Sequence, residues 1–265
     1  MNSIPKWLET IRISISKVMA YRLNFLLQII GPTLVFFFIK YNLWSSIYQG
    51  DRTILISGYT LTAMLAYHTW GLVVELLASG FTAMNLSEDI RLGRISTYLI
   101  YPFNFWEFHT ASFIGFQITQ VFIALVTFGA VALSGLIEVP MFTLLVKGFS
   151  YTLFISFLWF VMNYGIGLLA FWLEDTWILK VILMVISSFL SGAILPLDLF
   201  PAGLVEVLKW TPFPYLSYYP IKIFMGVEPN YLFAIGVMTG WMALITYCNH
   251  LVWKKGMKLY TAAGM

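Results

Sequence analysis

The chain has 265 residues, 60% of them hydrophobic and 10% charged, with a formal net charge of +3. A soluble domain carries about 25% charged and about 45–50% apolar residues, so this chain reads as one integral membrane domain over residues 1–265, not a soluble, disordered or collagen-like protein. Cys248 is the single cysteine, which excludes an intrachain disulfide and a multi-cysteine metal site.

Residues 1–20 differ from the rest. Ile4, Trp7, Leu8, Ile11, Ile15 and Val18 recur at helical spacing, while Lys6, Glu9, Arg12, Ser16 and Lys17 lie mostly off that stripe. An amphipathic helix lying in the membrane interface fits this pattern better than a plain extension of the first span. Charge spread through the segment argues against a signal peptide.

Stretches free of Asp, Glu, Lys and Arg follow at Leu23–Ile39, Thr53–Val74, Phe108–Ile137, Gly148–Leu173, Val181–Leu197 and Pro229–Trp253. A helix needs about 20 apolar residues to cross about 30 Å of hydrocarbon, so six transmembrane helices are predicted. The runs are continuous, without the alternation of a barrel. With the N-terminus inside, the inner segments hold Lys6, Arg12, Lys17, Arg22, Arg91, Arg94, Lys180, Lys254, Lys255 and Lys258. The outer ones hold Lys40, Arg52, Lys147, Lys209 and Lys222, a split of 10 to 5 among the 15 basic residues. The positive-inside bias therefore places both termini inside.

The connections are unequal. Ser45–Arg52 reads as a short outer loop, Glu138–Pro140 as a tight outer turn and Glu174–Asp175 as a tight inner turn. Two connections carry more. The inner segment 85–102 contains Ser87-Glu88-Asp89-Ile90-Arg91-Leu92-Gly93-Arg94-Ile95. Ser87 before two acids suits a helix N-cap, with Asn85 as the alternative. Gly93 permits a turn. A short amphipathic helix here would dock a cytoplasmic partner; a solvated loop obeying the positive-inside bias would look the same. The outer segment 196–228 stays apolar but is broken by Pro196, Pro201, Pro212, Pro214 and Pro220. One short helix over Gly203–Trp210 and a second ending at Gly226 are predicted. So many breaks favour a re-entrant helical hairpin over an aromatic belt.

Motifs for chemistry are missing. The sequence has no G-x-x-x-x-G-K-[ST] loop, H-E-x-x-H or G-x-S-x-G. His68, His109 and His250 are dispersed, so no metal site is expected. Glu75 lies inside the second span with His68 one heptad earlier, a tentative pathway pair; proximity to inner water is the stronger explanation of Glu75, and packing that of His68. Lys147 can snorkel. Trp253-Lys254-Lys255-Gly256 reads as a basic anchor at anionic headgroups. Gly165-Ile166-Gly167 permits close helix packing without naming a partner face.

Taken in order, these features resemble the membrane subunits of ABC transporters of the type-2 export class, the ABC-2-type permeases. The resemblance covers nearly the whole chain. It rests on the order of an N-terminal amphipathic helix, two spans, Asp89-Ile90-Arg91-Leu92-Gly93-Arg94 leading to Leu99-Ile100-Tyr101-Pro102, three spans, Gly192-Ala193-Ile194-Leu195-Pro196-Leu197-Asp198-Leu199-Phe200-Pro201, Pro212-Phe213-Pro214-Tyr215, Gly226, and a final span with a basic end. It implies an all-α membrane fold in which two permeases pair, each docking a cytoplasmic ATPase. The coupling helix would then be about Asn85–Tyr98, with Glu88, Asp89, Ile90, Arg91, Leu92, Gly93 and Arg94 as the coupling residues, and Pro196, Phe200, Pro201, Pro212, Phe213 and Pro214 would form the outer gate. ATP and Mg would be bound by the two ATPase subunits, and no cofactor by this chain. A second, different permease is the expected mate, with a homodimer as the alternative. Membrane lipids surround it, and nucleic acid has no part. The cytoplasmic membrane of a prokaryote is the implied location, and lipids, glycans, peptides or drugs the implied cargo. Competing readings are a lipid-modifying membrane enzyme with His109 near Glu107 as base, a secondary transporter, or a structural anchor.

Overall fold

In a computed structural model of the chain, the described residues are 4–20, 27, 30–31, 34–78, 84–100, 103–133, 135, 137–227 and 230–263. About half of the first expected span, Leu23–Ile39, lies outside them, as do Tyr101-Pro102 and Glu228-Pro229. The described residues form helices α1 (Ile4–Ala20), α2 (Asn42–Ile47), α3 (Leu61–Ala78), α4 (Met84–Arg91), α5 (Ile95–Ile100), α6 (Phe105–Leu133), α7 (Phe142–Leu168), α8 (Trp177–Leu190), α9 (Ala202–Leu208), α10 (Phe213–Leu216), α11 (Tyr218–Phe224) and α12 (Tyr231–Ala263). A π-helical turn, Phe36–Tyr41, leads into α2.

Among the described residues, four helices are long and apolar enough to cross a membrane: Leu61–Ala78, Phe105–Leu133, Phe142–Phe171 and Tyr231–Tyr260. Several boundaries depart from the expected ones. Helix persists through Ile47, so the connection expected at Ser45–Arg52 begins at Tyr48. The second span starts at Leu61 instead of Thr53. Ser57 and Gly58, with φ of 48° and 84°, form a two-residue turn that pairs Ile56 with Tyr59 through two 3.0 Å backbone hydrogen bonds. The last helix runs on to Ala263, so the basic end is helical rather than a tail.

α8 is a larger departure. It ends at Leu190, seven residues before the expected Leu197, and its 14 residues span about 21 Å. Beyond it the chain turns at Gly192, whose φ is +81°. Three successive carbonyls in that turn each hold a donor from a different element. Ser191 accepts from the Tyr218 amide at 2.9 Å, Gly192 from the Tyr67 hydroxyl at 2.7 Å and Ala193 from Lys40 Nζ at 3.2 Å. Irregular backbone inside an apolar bundle persists only when its polar groups are satisfied in this way.

α3 is buried around most of its circumference and forms the centre, with α6 and α7 against it. α1 lies along α6. Trp7 meets Phe103, Lys6 pairs with Glu107 at 3.3 Å, and a Cβ on Gly115 would stand 2.8 Å from the Ile11 carbonyl. These pairs ascend together, so the two helices run in the same direction. No residue of α1 is buried. The segment 196–227 folds back into the bundle. Phe224 stacks on Trp70, nine residues into α3, with ring centres 4.6 Å apart. It also fills the space over Gly148, where a Cβ would come within 2.5 Å of its ring. α4 and α5 cover the opposite end.

Candidate functional site

The sequence nominates two ends of the bundle, and each has a distinct construction. At one end, Leu86 and Ile90 share a face of α4 and are buried. Leu86 seats over Gly167, where a Cβ would lie 2.5 Å from its Cδ2. Ser87 is not the N-cap, because α4 begins at Met84; its hydroxyl instead hydrogen-bonds the Thr176 hydroxyl at 2.7 Å. The side chain of Asn85, the alternative cap, lies outside the described residues. Leu92–Arg94 form the turn between α4 and α5. Gly93 has φ of +71°, a left-handed conformation that a side chain would strain. Its carbonyl accepts from Ser96 Oγ at 2.9 Å and from the Tyr260 hydroxyl at 2.6 Å.

The seven nominated residues divide by orientation. Asp89 and Ile90 point inward. Arg94 reaches back with Nη1 3.3 Å from Asp89 Oδ1 and Nη2 3.3 Å from Glu88 Oε1. Tyr98 donates to Asp89 Oδ2 at 3.1 Å. Burial first, then the Asp89 charge, pushes the Tyr98 phenol up, so it stays a donor. Arg91 and Leu92 face out, Leu92 at 53% exposure. The result is a knob that presents one cation and one apolar side chain on backbone pinned from behind.

At the other end, a cluster unforeseen in the sequence ties three segments together. Asp198 accepts from Tyr59 at 2.5 Å and from Tyr218 at 2.7 Å, and its Oδ2 lies 2.9 Å from Lys222 Nζ. The ammonium also sits over the Tyr59 and Tyr218 rings, 4.8 Å and 5.4 Å from their centres. Burial works to raise the Asp198 carboxyl; the hydrogen bonds from Tyr59, Tyr218 and Lys222 outweigh it and hold the group below the usual aspartate range. Both phenols are pushed up, first by burial and then by that carboxylate. The nominated prolines set the surrounding geometry. Pro201 precedes α9, Pro212 precedes α10, and Pro214 lies in the first turn of α10. Pro196, Pro212 and Pro214 are buried, Phe200 and Phe213 half-buried, and Pro201 exposed. The unlike charges Asp198 and Lys222 within one outer segment were the available signal.

Between the ends, His68 and Glu75 are not brought together. His68 is buried, stacked on Trp44, with Nδ1 3.2 Å from Lys40 Nζ. Glu75 is exposed on the surface of α3. His109 is 2% exposed, surrounded by the rings of Phe105, Tyr98, Phe108 and Tyr164. Its neighbour in sequence, Glu107, pairs with Lys6 instead.

A family model described as ABC-2 family transporter protein matches residues 34–264. The chain belongs to this family. As an ABC-2 transporter protein it is a multi-pass membrane protein, the permease component of an ABC transporter. The match takes in the Arg91–Leu92 knob and the Asp198 cluster and leaves out α1. Comparison with curated proteins gives no match.

Proposed function

We propose that this ABC-2 permease forms half of the pathway of an ATP-driven exporter and couples to separate cytoplasmic ATPases through the turn between α4 and α5. One observation carries the reading: Arg91 and Leu92 project from a turn whose backbone is fixed from behind. A push on such a knob moves α4 and α5 as a rigid body instead of bending a loop. Two ATPases supply ATP and Mg, and this chain contributes two packings of its helices. In this reading there are six spans, Leu23–Ile39 being the first and α8 the fifth, with both termini inside the cytoplasmic membrane of a prokaryote. The mate is a second permease, a different chain by preference over a second copy.

The segment 196–228 acts as a re-entrant hairpin that closes the outer end. Phe224 on Trp70 and the Asp198 cluster support that role, because they join the hairpin to the central helix and to the loop before it. Glu75, exposed on a spanning helix, faces the pathway, with His68 behind it as a packed residue. Apolar and aromatic walls favour an amphiphilic cargo. The enzyme alternative has little support: its base, His109, is enclosed by aromatic rings.

Purification of the tagged chain from its native host in mild detergent tests the core of this reading. A stoichiometric ATPase is expected, and the number of permease species separates heterodimer from homodimer. A chain that emerges alone after crosslinking overturns it. Arg91→Glu is the cleaner probe of docking, since Arg94→Glu also breaks the pairs with Asp89 and Glu88. The double reversal should abolish transport and ATPase stimulation with folding intact; survival of transport would displace docking from this turn. Changes at Pro201 or Pro212 should alter gating while ATPase co-purification is retained.

A further inference from the structure

We propose that α12 is the strut that carries movement of the docking turn to the hairpin, with Tyr260 and Trp241 as the positioning residues at its two attachments. The proposal rests on the reading of Arg91 and Leu92 as the docking point. α12 is one uninterrupted helix of 33 residues, without proline, about 50 Å long.

At the docking end, the Tyr260 hydroxyl donates to the Gly93 carbonyl at 2.6 Å, at the apex of the turn itself. Trp253 stacks on Phe105 with ring centres 5.0 Å apart, and Gly256 lies directly against Phe171. At the hairpin end, Trp241 Nε1 donates to the Trp210 carbonyl at 2.8 Å, just past the end of α9. Trp210 packs edge-on against Phe233 at 5.6 Å, and Ala234 and Met238 are buried with Tyr215, Leu216 and Ile223. The two attachments are 19 residues apart along one helix, about 28 Å.

α7 also reaches both ends, where Gly167 seats Leu86 and Gly148 seats Phe224, both apolar contacts. Apolar contact resists compression and separates easily; a directed hydrogen bond to a carbonyl also transmits a pull. α7 is packed among α3, α4, α11 and α12 and serves as the frame. α12 is held along one side, chiefly by α7 through Asn249 on the Val161 carbonyl at 2.9 Å. Its other side, with Leu232, Leu244, Tyr247 and Leu251, is exposed. A helix gripped on one face and bonded at both ends can slide past its neighbour as a unit, the shear motion of packed helices.

A substrate-free measurement tests this in the complete transporter with its ATPases. Val205 is half-buried in the cleft beside Asp198. A Val205→Cys reporter in a Cys248→Ser background would be labelled with a membrane-impermeant maleimide, without nucleotide and with ATP and vanadate. The labelling rate is expected to respond to nucleotide. Tyr260→Phe should shrink that response about twofold to about tenfold, the range set by one hydrogen bond's net worth. Trp241→Phe should do the same, and the double variant no worse than either single, since both cut one connection. ATPase co-purification should stay unchanged, and the small losses of melting temperature from the two missing bonds should add in the double variant while the losses of response do not, which a merely structural role would not allow. A full response in Tyr260→Phe, a multiplied loss in the double variant, or no nucleotide response in the parent overturns the strut. Arg91→Glu, run in parallel, separates the failures. If it abolishes co-purification while Tyr260→Phe changes nothing, only the strut falls; if co-purification persists, the docking reading falls and the strut with it.

Discussion

The two ends of the bundle hold their charges in opposite ways. At the docking end, the ion pairs and the Tyr98 hydrogen bond join residues five, six and nine positions apart, within a single stretch of chain. At the hairpin end, Asp198 joins Tyr59, 139 residues away, and Tyr218, 20 away. The first arrangement shapes a local knob and leaves its position in the bundle to the packing of Leu86 and Ile90 and to the uncharged hydrogen bonds of Ser87 and the Gly93 carbonyl. The second fastens separate segments to one another. In the function proposed above, the first end is a docking surface, which has to keep its shape while it moves as a body, and the second a gate, which has to be fastened to what it closes against. Local and distant pairings suit those two tasks.

Phe224→Ala should cost most, about 3–5 kcal/mol, because the ring fills space against Trp70 and over Gly148. Thermal unfolding in detergent measures this, and a loss below about 1 kcal/mol would show that the hairpin is only loosely seated. Asp198→Ala comes next, at about 1–3 kcal/mol, discounted because its side chain is 31% exposed. It strands Lys222, so Asp198→Ala with Lys222→Met should recover part of the loss. The carboxyl's folded-state value lies below its unfolded one. Its contribution is therefore complete above about pH 4 and fades as pH falls through the depressed value. Protease protection of the hairpin should be flat between about pH 8 and about pH 5 and weaken only below that window; weakening near neutrality would point to another group. Ser87→Ala should cost about 0.5–1.5 kcal/mol through the lost Thr176 contact. Arg94→Ala should cost least, at most about 1 kcal/mol, with the arginine side chain 52% exposed. A large Arg94 effect on stability would erase the contrast between the ends.

That contrast also governs what could be read in advance. The turn at Gly93, the exposed Arg91, and the proline-marked breaks before α9 and α10 depend on neighbours in the chain, and sequence pattern reports neighbours. The Asp198 cluster depends on Tyr59, which looked like the interior of a span, and on Lys222, which looked like one more outer charge. Charge-free runs located the long helices, but not their ends. The paired turn at Ser57-Gly58 delays α3, and the satisfied carbonyls beyond Leu190 permit α8 to stop early. Ser87 was misread for the same reason: its partner Thr176 lies 89 residues away, so a local cap was the only role its neighbours could offer.

The short α8 bears on how the chain is made. A 14-residue apolar helix is too short to stay in hydrocarbon as a span by itself. Its end needs donors from Lys40 and Tyr67, which leave the ribosome before it, and from Tyr218, which leaves 28 residues after Leu190. Ser191 therefore carries an unanswered carbonyl until the hairpin has been synthesised and folded back. The seating of α8 is thus completed by assembly with elements on either side of it in the chain, not by partitioning into lipid in its turn.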